Sequence, residues 1–247
     1  MAGHSKWANI KHRKGAQDAK RGKIFTKLIR EITVAARFGG EDVGTNPRLR
    51  AAVQAARTQN MQKDTIDKAI KRGAGHLDDT NYLEVRFEGY GPGGVAVIVD
   101  TLTDNNNRTV ADVRHIFSRC GGNLGTSGCV AYLFDRKGQI LFQDVDEDAL
   151  MEAALEAGAE DMRRDDDMFE VLTAPDDLET VLEALNKAGF TGPVSSEVTL
   201  IPQTSVALDE KKAESMLKMV DLLEDYDDVQ KVHANFDIPD EVMARLG

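Results

Sequence analysis

The first strand-like spacing of apolar residues appears only after Gly73, and that change limits the fold more than any other feature. Up to Gly73 they recur at helical spacing. Ile24, Phe25, Leu28, Ile29, Ile32, Ala35 and Ala36 form one stripe that runs to Phe38 and is ended by Gly39-Gly40. Asn46-Pro47 reads as an N-cap with proline at the first helical position, and Leu49, Val53 and Ala56 supply the next stripe. A third helix starts near Asp64, carries Ile66, Ala69 and Ile70, and stops at Gly73. Period two then takes over: Tyr82–Tyr90 alternates, with Leu83, Val85 and Phe87 on one face. A helical unit therefore precedes units built on sheets.

The strand-bearing part divides again. Tyr82–Tyr90, the turn Gly91-Pro92-Gly93-Gly94, strand Val95–Leu102, a helix opened by Asn105–Asn107 and strand Cys129–Phe134 give a ββαβ run. Strand Gln139–Phe142, helix Glu147–Ala157, a short strand near Asp161–Arg164, strand Phe169–Thr173, helix Asp176–Lys187 and strand Val194–Ile201 then give βαββαβ, the ferredoxin-like order. Helix Glu210–Leu223 and strand Val229–Phe236 have no partner inside that closed unit, so they are expected to return to the ββαβ run. The expected fold is α+β and multidomain: a basic arm and three-helix unit over residues 1–76, and two α/β-sandwich-type domains. One of these is discontinuous, 77–135 plus 203–247; the other is ferredoxin-like, 136–202, and inserted in it.

The 247 residues hold 42 acids and 31 bases, a formal charge of −11 that taken alone argues against a polyanion partner. The average conceals a division after Arg72: residues 1–72 carry +11 and residues 73–247 carry −22. At physiological salt the screening length is ~8 Å, so the acidic part does not cancel the field of the basic part. Two cysteines, Cys120 and Cys129, make no disulfide framework and read as reduced thiols. No apolar run is long enough for a membrane helix and no signal peptide is read, so the expected location is the cytoplasm.

The first 22 residues have little apolar periodicity and Asp18 as their one acid, which reads as a mobile basic arm. Arm and first helix together offer Lys6, Lys11, Arg13, Lys14, Lys20, Arg21, Lys23, Lys27 and Arg30 as phosphate-seeking cations, with Trp7 as a flat face for a base. The alternative is a solvated basic tail. Asn107 and Arg108 open a helix after a strand, where free backbone N–H groups can meet an anion; plain helix capping competes with that reading. The Gly91–Gly94 segment lies between strands and reads as a hairpin turn, not a phosphate loop. Acidic runs such as Asp165–Asp167 and Glu224–Asp228 lack metal-loop spacing and read as solvated turns. No metal site, cofactor site or nucleophile–base set is read, so the expectation is a protein that is not an enzyme and carries no cofactor.

The run Met1–Lys14, together with Lys23–Lys27, Asn46–Arg50, Glu88–Gly94, Gly121–Gly125 and Ala153–Asp161, closely resembles the YebC/PmpR family over essentially the whole chain. The resemblance implies three domains, one helical and two α+β. It implies a DNA-binding transcriptional regulator of the bacterial cytoplasm acting at promoter regions. Mitochondrial and bacterial relatives imply an alternative: a ribosome- or RNA-associated translation factor that relieves stalled synthesis. No catalytic residues are implied. The third helix offers mainly Lys63, Lys68, Lys71 and Arg72, cations suited to phosphates more than to base edges, so duplex specificity would rest on shape or on a homo-oligomer. A third class, a small-effector sensor, rests on analogy with other ferredoxin-like domains alone.

Overall fold

The computed structural model describes residues 18–75, 82–165 and 167–246. Three helices open it: α1 (Asp18–Gly39), α2 (Pro47–Thr58) and α3 (Lys63–Gly73). Their stripes meet in one core of Ile32, Ala35, Ala36, Leu49, Val53, Ala56, Ile66 and Ala69. Asn46 joins two of the helices. Its Oδ1 accepts from the Leu49 N–H at 3.0 Å and caps α2, while its Nδ2 donates to the carbonyls of Ala35 and Gly40 at the end of α1, each at 2.8 Å. Helices α1 and α3 cross so closely that a Cβ at Gly73 would lie 2.2 Å from the Thr33 carbonyl oxygen, which only glycine permits. Asn60 takes the left-handed conformation (φ 58°) in the connector between α2 and α3, a conformation that asparagine tolerates.

The chain continues through β1 (Leu83–Tyr90), β2 (Ala96–Thr103), α4 (Asn106–Arg119) and the two-residue β3 (Asn123–Leu124). Next come β4 (Phe134–Gln143), α5 (Glu147–Glu156), β5 (Asp161–Asp165), β6 (Met168–Thr173), α6 (Leu178–Lys187) and β7 (Ser195–Pro202). The last elements are β8 (Val206–Ala207), α7 (Glu210–Glu224), β9 (Val229–Ala234), β10 (Phe236–Asp237) and α8 (Asp240–Leu246). The fold is α+β, a helical unit followed by antiparallel four-stranded sheets.

One sheet has the order β5-β6-β4-β7, the strand order of a ferredoxin-like unit, with α5 and α6 packed on Ile140, Phe142, Phe169 and Val171. The second four-stranded sheet has the order β3-β1-β2-β9, and β8 pairs in parallel with β10 as a separate two-stranded sheet. Strand β9 pairs with β2 although more than a hundred residues separate them, and Val232 and Ala234 share a core with Val97, Val99, Phe117, Met216 and Val220. Strand β2 is covered on both sides. Val95, Val97 and Val99 face α4 and α7, while Ala96 and Ile98 face Val130 and Phe134.

The expected strand Cys129–Phe134 does not form. A 3-10 turn occupies Ala131–Leu133, extended pairing starts only at Phe134, and β1 takes β3 as its edge partner instead. Glu88 supplies the reason. Its carboxylate is buried and accepts the N–H groups of Gly128 (2.8 Å), Val130 (3.0 Å) and Ala131 (2.9 Å), which withdraws them from any ladder. Burial pushes the Glu88 carboxyl up, and these three donors outweigh it, so the group stays below the usual carboxylate range. Three short elements, β3, β8 and α8, are not expected from the sequence: strands of two residues and a helix of seven leave too little periodicity to read.

Candidate nucleic-acid interface

The basic helical unit meets the acidic part of the chain along one side of α1, opposite the turn that follows α7. Lys23 Nζ donates to the Asp225 carbonyl at 3.1 Å and pairs with its carboxylate at 3.4 Å. One turn on, Lys27 Nζ donates to the Glu224 carbonyl at 2.5 Å. These carbonyls are the free C-terminal acceptors of α7, where the helix dipole favours cations. One turn further, Arg30 Nη1 reaches the Asp227 carbonyl and the Asp228 Oδ1, each at 2.6 Å. Its guanidinium also lies 5.7 Å from the centroid of the Tyr82 ring.

Asp228 is the anchor of this seam. Its side chain is 3% exposed, so it needs full pairing. Arg30 holds one oxygen. Arg108 Nη2 holds the other at 2.7 Å, and the hydroxyls of Thr103 and Thr109 lie 3.1 and 2.8 Å from it. Burial pushes the carboxyl up, but Arg108, Thr109 and Arg30 together bring it below its ordinary range. Arg108 also pairs with Asp104 at 2.9 Å, and Tyr226 donates to Asp112 at 2.7 Å. A cleft of about 290 Å³ opens over these groups.

The cations singled out in the sequence therefore have different fates. Lys6, Trp7, Lys11, Arg13 and Lys14 lie outside the described residues, and Lys20 and Arg21 fall in the first turns of α1. Lys23, Lys27 and Arg30 face the protein's own carbonyls and Asp228. Asn105 caps α4 through Arg108 N at 3.1 Å, and Asn107 is exposed. The anion that Arg108 meets is Asp228. The run Glu224–Asp228, read as a solvated turn, is corrected at its last residue, which α1 and α4 cover. Nothing local in the sequence signals this, because both arginines lie far from Asp228 along the chain.

Elsewhere on the helical unit Arg48 pairs with Glu31 at 2.7 Å and Glu84 at 2.5 Å, and Arg50 donates to Val43 and Gly44 carbonyls. Arg57, Lys63, Lys68 and Lys71 are exposed, and among the described residues they pair with no acid. Asp64 and Asp67 stand between the lysines on α3 and moderate its field. Among the described residues no group of metal ligands gathers, and no helix is long and apolar enough to cross a membrane.

A basic three-helix unit tied by ion pairs to antiparallel α+β units defines a class of protein, and comparison with known sequences gives its family. The profile of the TACO1/YebC N-terminal domain matches residues 5–76, and that of the TACO1/YebC second and third domain matches residues 82–236. The chain belongs to the TACO1/YebC family. A Magnetococcus marinus protein named as a probable transcriptional regulatory protein is 67% identical over 100% of this chain and 99% of its own length. The Pseudomonas aeruginosa transcriptional regulatory protein PmpR is 62% identical, with 100% of both chains covered. The crystal structure of a conserved hypothetical protein, Aq1575 of Aquifex aeolicus, matches with a TM-score of 0.84 at 48% identity, covering 92% of this chain and 94% of that one.

Proposed function

We propose that this protein is a non-enzymatic, nucleic-acid-binding regulator that acts on transcription by binding DNA. The observation that carries the reading is the +11 balance of residues 1–72. The partners of Lys23, Lys27, Arg30, Arg48 and Arg50 account for only part of it. The names of the relatives agree with it. The seam orients the molecule: the cations of α1 that face the acidic units are engaged there, so the N-terminal run and the exposed Arg57, Lys63, Lys68 and Lys71 meet the phosphates. Residues 77–135 and 203–247 are taken as one unit interrupted by 136–202; the β2–β9 pairing supports this division.

The test is a binding titration against salt. Neutralising Lys11, Arg13 and Lys14 together lowers the slope of log affinity against log salt by about 2–3. An unchanged slope removes the N-terminal run from the interface. Footprinting at ~150 mM salt addresses the target: equal protection of promoter and random duplex overturns the promoter reading. A second reading, a ribosome- or RNA-associated translation factor, draws support from Trp7 among the N-terminal cations, a group suited to unpaired bases. Co-sedimentation with ribosomes favours it, and absence from the ribosomal fractions, with and without stalled ribosomes, overturns it.

A further inference from the structure

Two runs without a charged residue, Gly89–Val99 and Cys120–Phe134, meet at one end of the β3-β1-β2-β9 sheet. Gly89 pairs with Leu124 and Tyr90 with Asn123. The approach is tight: a Cβ at Gly89 would lie 2.5 Å from the Asn123 carbonyl oxygen. Two tyrosines stand out of this neutral surface, Tyr132 at 67% exposure and Tyr90 at 39%. Tyr90 donates to the Cys129 carbonyl at 3.2 Å, its phenol neighbours that of Tyr132, and the three bonds to Glu88 fix the backbone that carries Tyr132. Tyr90 is therefore held at its hydroxyl, and Tyr132 at its backbone, before any ligand arrives.

Three cations border this end, one of them, Lys212, paired with Asp209 at 3.1 Å. The Lys212 chain passes Gly93, and Arg119 and Lys218 lie beside Cys120; all three are exposed. Residues 73–247 carry −22 in total, so most of their surface repels a phosphate chain. Here the two neutral runs are bordered by Arg119 and Lys218, for which no ion pair is found among the described residues. Exposed aromatic faces on an uncharged floor of small residues, with cations at its border, are the combination that holds successive bases of a single strand.

We propose that this end of the sheet binds an unpaired nucleic-acid strand, with Tyr132 and Tyr90 stacking on its bases. The proposal rests on the reading of the protein as a nucleic-acid binder and adds a second, strand-selective contact to it.

The test uses the full chain, with labelled oligo(U), oligo(dT) and a short duplex as probes. Tyr132→Ala lowers affinity for the single strands by roughly ten-fold and leaves the duplex unaffected, whereas Tyr132→Phe, which keeps the ring, binds as the unsubstituted protein does. A loss on oligo(U) alone assigns the site to RNA, and a loss on oligo(dT) assigns it to opened DNA. Circular dichroism shows that the exposed substitution leaves the fold intact. If the unsubstituted protein binds duplex and Tyr132→Ala holds single strands equally well, the platform is overturned and the nucleic-acid reading stands. If the unsubstituted protein binds none of the probes, both fall.

Discussion

Arg30 Nη1 lies 2.6 Å from Asp228 Oδ1, joining the first helix to a turn 198 residues later in the chain. Arg30 is mostly covered and Asp228 almost wholly, so this is not a surface pair of negligible worth. Replacing Arg30 by alanine leaves the Asp228 carboxylate with Arg108 and two hydroxyls. We expect Arg30→Ala to destabilise by about 2–4 kcal/mol in urea unfolding. Asp228→Asn should cost less in that background than in the unsubstituted protein, because the carboxylate it removes has already lost one of its two arginines. If the double substitution is as unstable as the sum of the two singles, the side chains are not coupled.

Glu88 gives a second expectation. One of its oxygens accepts two backbone N–H groups and the other accepts one. Glu88→Gln places an amide N–H₂ against at least one of these donors, at a cost of about 1–3 kcal/mol. The strap from Gly128 to Leu133 should loosen first. Cys129 lies in that strap and is half-buried, with burial raising its thiol, whereas Cys120 is buried elsewhere. Thiol labelling should therefore accelerate at Cys129 and not at Cys120. Equal acceleration at both would mean global unfolding instead.

Acid should weaken the sheet through Asp100. Burial raises its carboxyl, but His233 and the bidentate Arg86 outweigh burial and hold it at about 2, below its ordinary 3.8. A depressed carboxyl contributes stability that is complete above the unfolded value and disappears as pH falls through the folded one. The contribution is about 2 kcal/mol at neutral pH. Asp100→Asn should lose that amount at neutral pH, and its stability should fall less steeply than the original protein's between pH ~4 and ~2. Parallel acid limbs for the two proteins would remove Asp100 from the account.

The helices were legible because their signals are local. Asn46-Pro47, the stripes ending at Gly39 and Gly73 and the cap at Asn105 each lie within a few residues of the element they control. The ferredoxin-like order was legible for the same reason: each strand and helix carries its own period. The β-prone composition of Cys129–Phe134 says nothing about Glu88, some forty residues earlier, which captures N–H groups of this segment and keeps it from pairing as a strand. Glu88 itself alternates with Phe87 and so reads as solvent-facing, since an antiparallel strand does not announce that its second face will be covered.

The sequence by itself determined the order of elements, the segregation of charge into +11 and −22, and the family to which the chain belongs. Only the tertiary structure decided which cations remain available. Lys23, Lys27, Arg30 and Arg108 look like free phosphate contacts in one dimension, yet each meets a carbonyl or carboxylate of the chain itself. The physical reason is that ion pairing depends on distance in space. A pattern of charges along the chain records how many ions there are, and the packing of α1 and α4 against the turn after α7 determines which of them already have partners.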